Sequence, residues 1–345
     1  MAIIISLLLL AIILMALHKG TKNRLPEKDA FLERDYTDCV KGIGIIVVFF
    51  NHIDGYLVNE VNLSCADNIF FYIIGLLTAL FVAGFLFFSG YGVTESIKKK
   101  GQAYVKTIPN KRLLTTLLNF DIAVLLYVFA IIVTGGGNFL TVKQVLLSLV
   151  AWDSVGNSNW YIFCILCCYL FSFVSAKISE KREVQLFIVT GLVILYIVII
   201  SIMKESWWFN TILAYPCGVA FSYYKRNIKI LIERSVIYVS LLSVFLFCVF
   251  FYLSTNNPYL FNITSVLFCI LLAVISSKIS LNSKSLKWSG DHLFQIYIYQ
   301  RLPMIIISTL FPSLVISHHW LFVLACFTVT VLIASVMPRV SIKKS

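Results

Sequence analysis

The chain has 345 residues, 60% of them hydrophobic and only 13% charged, with a mean hydropathy of +0.92. Such a composition cannot cover itself with polar surface in water, so a soluble globular fold is excluded and the bilayer is the solvent. The formal charge of +12 would suggest nucleic acid in a soluble protein, but here the positive residues fall almost wholly in the loops between apolar runs, where membrane topology accounts for most of them.

The apolar runs reach membrane length without alternating polar and apolar residues, which predicts helices rather than a barrel. Reading them against charged interruptions gives about eleven spans, starting near Ile3, Val40, Ile69, Leu113, Trp160, Val184, Thr211, Ser235, Ile263, Leu293 and Leu321. No positive residues precede Ile3, whereas Lys19, Lys22 and Arg24 follow its run, so the first span reads as a retained helix and not as a signal peptide. The stretches Lys19 to Lys41, Lys98 to Arg112, Lys177 to Arg182, Lys225 to Arg234, Lys278 to Lys287 and Arg339 to Lys344 are rich in Lys and Arg. The intervening loops have almost none. The positive-inside rule then places the N-terminus outside and the C-terminus in the cytoplasm, in a plasma-membrane protein. The expected architecture is an all-α polytopic bundle, with residues 1–33 an extra helix and basic loop and residues 34–345 a ten-helix domain.

The second span holds the most informative residues. Lys41 and His52 are eleven residues apart, which returns to within about 20° of three full turns, so they share one face about 16 Å apart along the axis. Asp38 joins that face. Ionisable groups on one side of a span are costly to leave in lipid and usually face a cavity where they pair or do chemistry. The plainer reading is a packed histidine and a lysine reaching to the headgroups.

Further along, Phe87-Phe88-Ser89-Gly90-Tyr91-Gly92 ends a span in small and hydroxyl residues, a pattern that also serves close helix packing. The run Lys98-Lys99-Lys100, with Lys106, Lys111 and Arg112, is denser than orientation requires and suits an anionic cytosolic group, lipid or phosphorylated cofactor. Asn119 and Asp121 lie inside the following span, where Asp121 is the expected partner of a buried cation. Cys164, Cys167 and Cys168 lie mid-span with no histidine nearby and read as small hydrophobes, and Cys65 has no loop partner for a disulfide. There is no metal signal. Arg301, in Tyr297-Ile298-Tyr299-Gln300-Arg301-Leu302-Pro303, lies about 13 Å inside its span and should face the protein interior, either bound to Asp121 or a carbonyl freed by Pro303, or bound to substrate.

Taken in order, Asp38-x-x-Lys41-Gly42, the ten residues separating Lys41 from His52, Phe88-Ser89-Gly90-Tyr91, Lys111-Arg112, Trp160-Tyr161 and Ile296-Tyr297-Ile298 resemble the acyltransferase 3 family of integral membrane acyltransferases. The resemblance runs from about Asp35 to Met337. It implies transfer of an acyl group, commonly acetyl from acetyl-CoA, to a hydroxyl of an extracytoplasmic carbohydrate such as a cell-surface polysaccharide or its lipid-linked precursor. His52 would be the catalytic histidine, with Lys41 and Asp38 beside it. Lys41, Lys111, Arg112, Ser89, Tyr91 and Arg301 would bind the acyl-CoA cosubstrate, and no metal would be needed. Lys41 stands where the family usually has arginine, and it offers a point charge in place of a planar fork.

Physical chemistry is compatible with that function. Acyl transfer to an alcohol needs a base for the hydroxyl proton, a role imidazole fills near neutral pH, and positive charge or donors for the developing oxyanion. An acyl-histidine relay is a variant of the same scheme. The partners expected are the carbohydrate acceptor, membrane lipids, and either a second copy or glycan-assembly proteins; nucleic acid is not expected. The alternative from another class is a proton-coupled secondary transporter of a small anionic or sugar solute, because intramembrane His, Arg and Asp also mark transport paths. A non-catalytic membrane scaffold is a third reading, in which His52 and Lys41 would tolerate substitution.

Overall fold

A computed structural model describes residues 31–57, 63–137, 140–232, 235–277 and 279–342. The expected first span and most of its basic loop lie outside the described residues. Among the described residues the secondary structure is helical, joined by turns and loops. α1 (Arg34–Leu57) and α2 (Cys65–Lys100) are followed by the short α3 (Gln102–Val105) and a π-helical turn (Pro109–Leu114) that leads into α4 (Thr115–Val133). Next come α5 (Val142–Leu149), α6 (Trp160–Ile178), α7 (Arg182–Met203), α8 (Ala214–Tyr223), α9 (Lys225–Ile232), α10 (Ser235–Thr255) and α11 (Pro258–Ser276). The chain closes with α12 (Lys284–Asp291), α13 (Leu293–Tyr299), α14 (Arg301–Leu310), α15 (Pro312–Ser317) and α16 (His319–Val336).

Among the described residues, seven stretches are long and apolar enough to cross a membrane: Arg34–Leu57, Cys65–Lys100, Pro109–Val133, Trp160–Ile178, Arg182–Met203, Pro258–Ser276 and His319–Val336. The span expected near Thr211 is the ten-residue α8, and the one near Leu293 is divided into α13 and α14. Pro303 explains the division: its ring removes an amide and collides with the carbonyl four residues back, at Tyr299. The outward faces are those of a protein in lipid, with Phe187 79%, Ile202 82% and Val336 79% exposed. In water such a surface would aggregate.

Local sequence sets the helix ends. Ser64 and Asp67 form a capping box at the start of α2, each side chain accepting from the other's backbone amide at 3.2 Å. Asn257 caps α11 by accepting from the Tyr259 and Leu260 amides, with Pro258 at the first helical position where its missing amide costs nothing.

Two glycine-mediated crossings draw the functional helices together. A Cβ on Gly42 of α1 would overlap the Leu286 carbonyl, and one on Gly290 of α12 would overlap the Asp38 carbonyl. Gly90 of α2 and Gly218 of α8 meet the carbonyls of Tyr215 and Phe87 in the same reciprocal way. Backbones this close exclude every side chain, so the small residues of the Phe88-Ser89-Gly90-Tyr91 segment serve helix packing. Buried polar links add register: the Tyr36 hydroxyl donates to the Leu272 carbonyl at 2.9 Å, and Asn119 exchanges hydrogen bonds with the Val340 backbone. Asn119 is thus committed to holding the C-terminal segment.

Candidate active site

α1 runs unbroken from Arg34 to Leu57, so Asp38 and Lys41 lie in its first half and His52 towards its other end. The two ends have different surroundings. Lys41 Nζ stands 3.1 Å from Asp38 Oδ1 and 5.9 Å from the centroid of the Phe88 ring. Asp38 also accepts from Arg34 Nε at 3.2 Å, and Arg34 reaches Asp291 at 3.5 Å. Lys287 pairs with Asp35 at 2.9 Å, while Arg339 donates to the Asp291 carbonyl and to Gln295. Partial burial holds Arg339 below its ordinary pKa, against the opposing pull of Asp291. These pairs tie α1, α12 and the C-terminal segment together. Asp38 has both carboxylate oxygens engaged in this lattice and none turned toward His52.

Around His52 several buried polar atoms have no hydrogen-bond partner among the described residues. Its Nδ1 is shut off from the surface, with no hydrogen-bond partner among the described residues. The ring lies 6.2 Å from that of Tyr297, which in turn packs edge-on against Tyr161 at 5.2 Å. Arg301, at the start of α14, exerts its charge on His52 and sits over the Tyr56 ring, with its guanidinium carbon 6.0 Å from the centroid. Arg301 Nε, Gln300 Oε1, Tyr297 Oη, Ser158 Oγ and Tyr127 Oη are likewise buried and have no hydrogen-bond partner within 3.5 Å among the described residues. Buried polar groups are ordinarily hydrogen-bonded, so a concentration of unpartnered ones in one neighbourhood marks a place built to receive a polar ligand.

Arg112 forms a second centre. The π-helical turn that carries it aims the guanidinium at tyrosines: Nε donates to the Tyr104 hydroxyl at 3.2 Å, and Cζ lies 5.7 Å from the Tyr169 ring centroid. Among the described residues it has no carboxylate partner. An unpaired guanidinium in an aromatic setting is available to an anionic group such as a phosphate. Lys111 beside it is exposed. Alongside the turn, Pro109, Leu113, Leu117, Leu166 and Leu170 help line an apolar groove of about 480 Å³ that contains none of the residues around His52.

The structure therefore divides the sequence-predicted residues among three places. Asp38 and Lys41 belong to the ionic lattice, His52 and Arg301 to the unpartnered cluster, and Arg112 to the tyrosine-lined turn. Tyr91 is buried near Glu95, and Ser89 is partly buried with no hydrogen bond to the described residues. Asp121 does not partner a cation as expected: Oδ1 is buried without a hydrogen bond, and no ion pair reaches it among the described residues. Arg301 instead faces Tyr56, because the break after Tyr299 turns it toward α1. Sequence reasoning missed Tyr56, Tyr127 and Ser158. The signal for Ser158 was the polar triplet Asn157-Ser158-Asn159 standing directly before Trp160-Tyr161. Among the described residues no group of three or more His, Cys, Asp or Glu side chains has metal-binding geometry.

The acyltransferase 3 family, described as an acyltransferase domain, matches residues 34–337. No curated protein and no solved structure matches the chain.

Proposed function

Because this chain belongs to the acyltransferase 3 family and is therefore a membrane-embedded acyltransferase, we propose that it moves an acyl group, acetyl in the first instance, from cytoplasmic acyl-CoA to a hydroxyl of an extracytoplasmic carbohydrate. The observation that carries the reading is the cluster of buried, unpartnered polar groups around His52, on the helix where the family match begins.

Each residue has a stated task. His52 takes the proton of the acceptor hydroxyl as that oxygen attacks the thioester carbon. Arg301 supplies positive charge beside the reacting atoms. Arg112, with Lys111 and the Lys98 to Lys106 stretch, holds the phosphates of the donor at the cytoplasmic end. Lys41 closes the inner end of the path, its charge held in place by Asp38. Ser89 and Tyr91 flank the donor path on α2.

In this reading the protein is a plasma-membrane protein with eleven crossings, residues 1–33 preceding a ten-helix domain, and its basic loops are cytoplasmic. α1 then begins inside, with Lys41 in its inner half, and carries His52 toward the outer leaflet. The acyl group crosses the bilayer, and the sugar does not. His52→Ala in the producing cell is expected to abolish glycan acylation while the protein remains folded and inserted. Undiminished acylation in that strain would remove His52 from the chemistry.

A further inference from the structure

The segment before α6 is a loop that turns back into the protein. Asn157, Ser158 and Asn159 are 2%, 4% and 9% exposed, although they lie between helices. Internal hydrogen bonds fix the loop. The Ser154 hydroxyl donates to the Asn157 carbonyl at 2.6 Å and accepts from the Gly156 amide at 3.1 Å, and the Val155 amide donates to Asn157 Oδ1 at 3.0 Å. Gly156, at φ +93°, faces Ile305 of α14, so the loop is seated against the same helix that presents Arg301.

Asn159 precedes the nineteen-residue α6 but does not cap it. Its amide donates to the carbonyls of Ala151 and Asp153 at 3.1 and 2.9 Å instead. The first amides of a helix have no intrahelical acceptor and gather a partial positive charge of about half an elementary unit. At this N-terminus the Tyr297 hydroxyl, 2% exposed, lies beside the Tyr161 amide and the Ser158 hydroxyl. Among the described residues neither Tyr297 Oη nor Ser158 Oγ has a hydrogen-bond partner within 3.5 Å, although the two hydroxyls and the Tyr161 amide lie close enough to interact, and the Tyr297 ring is the one facing His52 at 6.2 Å. The two hydroxyls therefore converge in the field of a long helix, with the Tyr297 ring beside the base, and neither is locked by a full hydrogen bond against turning toward an incoming oxyanion.

We infer that the hydroxyls of Tyr297 and Ser158, at the buried N-terminus of α6, donate to the oxyanion formed during acyl transfer. This assignment rests on the acyl-transfer reading above and adds two catalytic groups to it. The acceptor oxygen bonds to the thioester carbon as its proton passes to His52, and the carbonyl electron pair moves onto oxygen, where Tyr297 and Ser158 receive it. Collapse restores the carbonyl and breaks the carbon–sulfur bond. The thiolate leaves with the proton from the imidazolium, giving ester and free CoA. Donors aimed at a charge that exists only in the transition state raise turnover without tightening substrate binding.

The test uses full-length protein in nanodiscs, with acetyl-CoA and the host's crude glycan fraction, reading thiol release and thermal stability. Tyr297→Phe and Ser158→Ala are each expected to lower kcat by about 10²-fold, the scale for one oxyanion donor, with KM for either substrate changed by less than about threefold. Thermal stability should change little, since neither hydroxyl makes a full hydrogen bond in the resting protein, and Ser158→Thr should recover part of the rate. Unchanged kcat in both variants, or a loss that follows a fall in thermal stability, would overturn the assignment. A wild-type protein that releases no thiol would overturn the acyl-transfer reading beneath it.

Discussion

The His52 ring faces the ring of Tyr297 at 6.2 Å, and both present a buried polar atom with no hydrogen-bond partner within 3.5 Å among the described residues. The ionic lattice at the other end of the same helix is saturated by contrast, with Asp38 holding Lys41 and Arg34 at 3.1 and 3.2 Å. One end of α1 is built to hold the bundle together, and the other is built to meet something.

That contrast predicts opposite behaviour on substitution. His52→Ala should lower acyl transfer by about 10²–10⁴-fold, the usual contribution of a general base, with little change in thermal stability. A rate near that of wild type would show that the proton goes elsewhere.

Asp38→Asn should act mainly on the fold. Removing the charge that Lys41 and Arg34 share is expected to cost about 1–3 kcal/mol, read as a lower unfolding temperature in detergent. Lys41→Arg, which keeps the ion pair, should retain most of that stability. If Asp38→Asn abolished turnover with unchanged stability, Asp38 would belong to the chemistry.

The glycine crossings give a sharper structural prediction. Gly290→Ala drives a methyl into the Asp38 carbonyl, and the expected loss is at least about 1–3 kcal/mol, measurable as reduced yield and melting temperature. Gly92, whose added Cβ would meet nothing within 4 Å, is the control and should tolerate alanine. Equal behaviour of the two variants would mean that the α1–α12 crossing is looser than described.

Arg112→Ala is expected to raise KM for acetyl-CoA by about tenfold or more while kcat changes less, as for loss of a charge-assisted phosphate contact. The effect should shrink in high salt, which screens the same attraction in wild type. An unchanged KM for the donor would move the CoA phosphates away from the Tyr104–Tyr169 turn.

Much of this arrangement was legible in the sequence, for reasons that can be assigned. The apolar runs fixed the helical membrane class because lipid leaves backbone groups no other partner, and the eleven-residue interval placed Lys41 and His52 on one helix. Arg301 was legible as inward-facing because it lies too deep to reach water. Its partner was not. Asp121 is the anion the sequence offers, but which face Arg301 presents depends on the helix break at Pro303, a three-dimensional consequence that spacing along the chain does not carry. Tyr56, Tyr127 and Ser158 were hidden for a related reason: tyrosine and serine are ordinary residues in a membrane protein, and only the packing of α1, α4, α6 and α14 shows that Tyr56 meets Arg301 and that the Tyr127 and Ser158 hydroxyls are buried without hydrogen-bond partners among the described residues.

The most direct test of the account is thiol release from acetyl-CoA by the purified protein in nanodiscs, with wild type and His52→Ala, each with and without the host's crude glycan fraction. Release by wild type that is stimulated by glycan and lost in His52→Ala is the predicted result. No release by either protein, with no binding of acetyl-CoA, would contradict it.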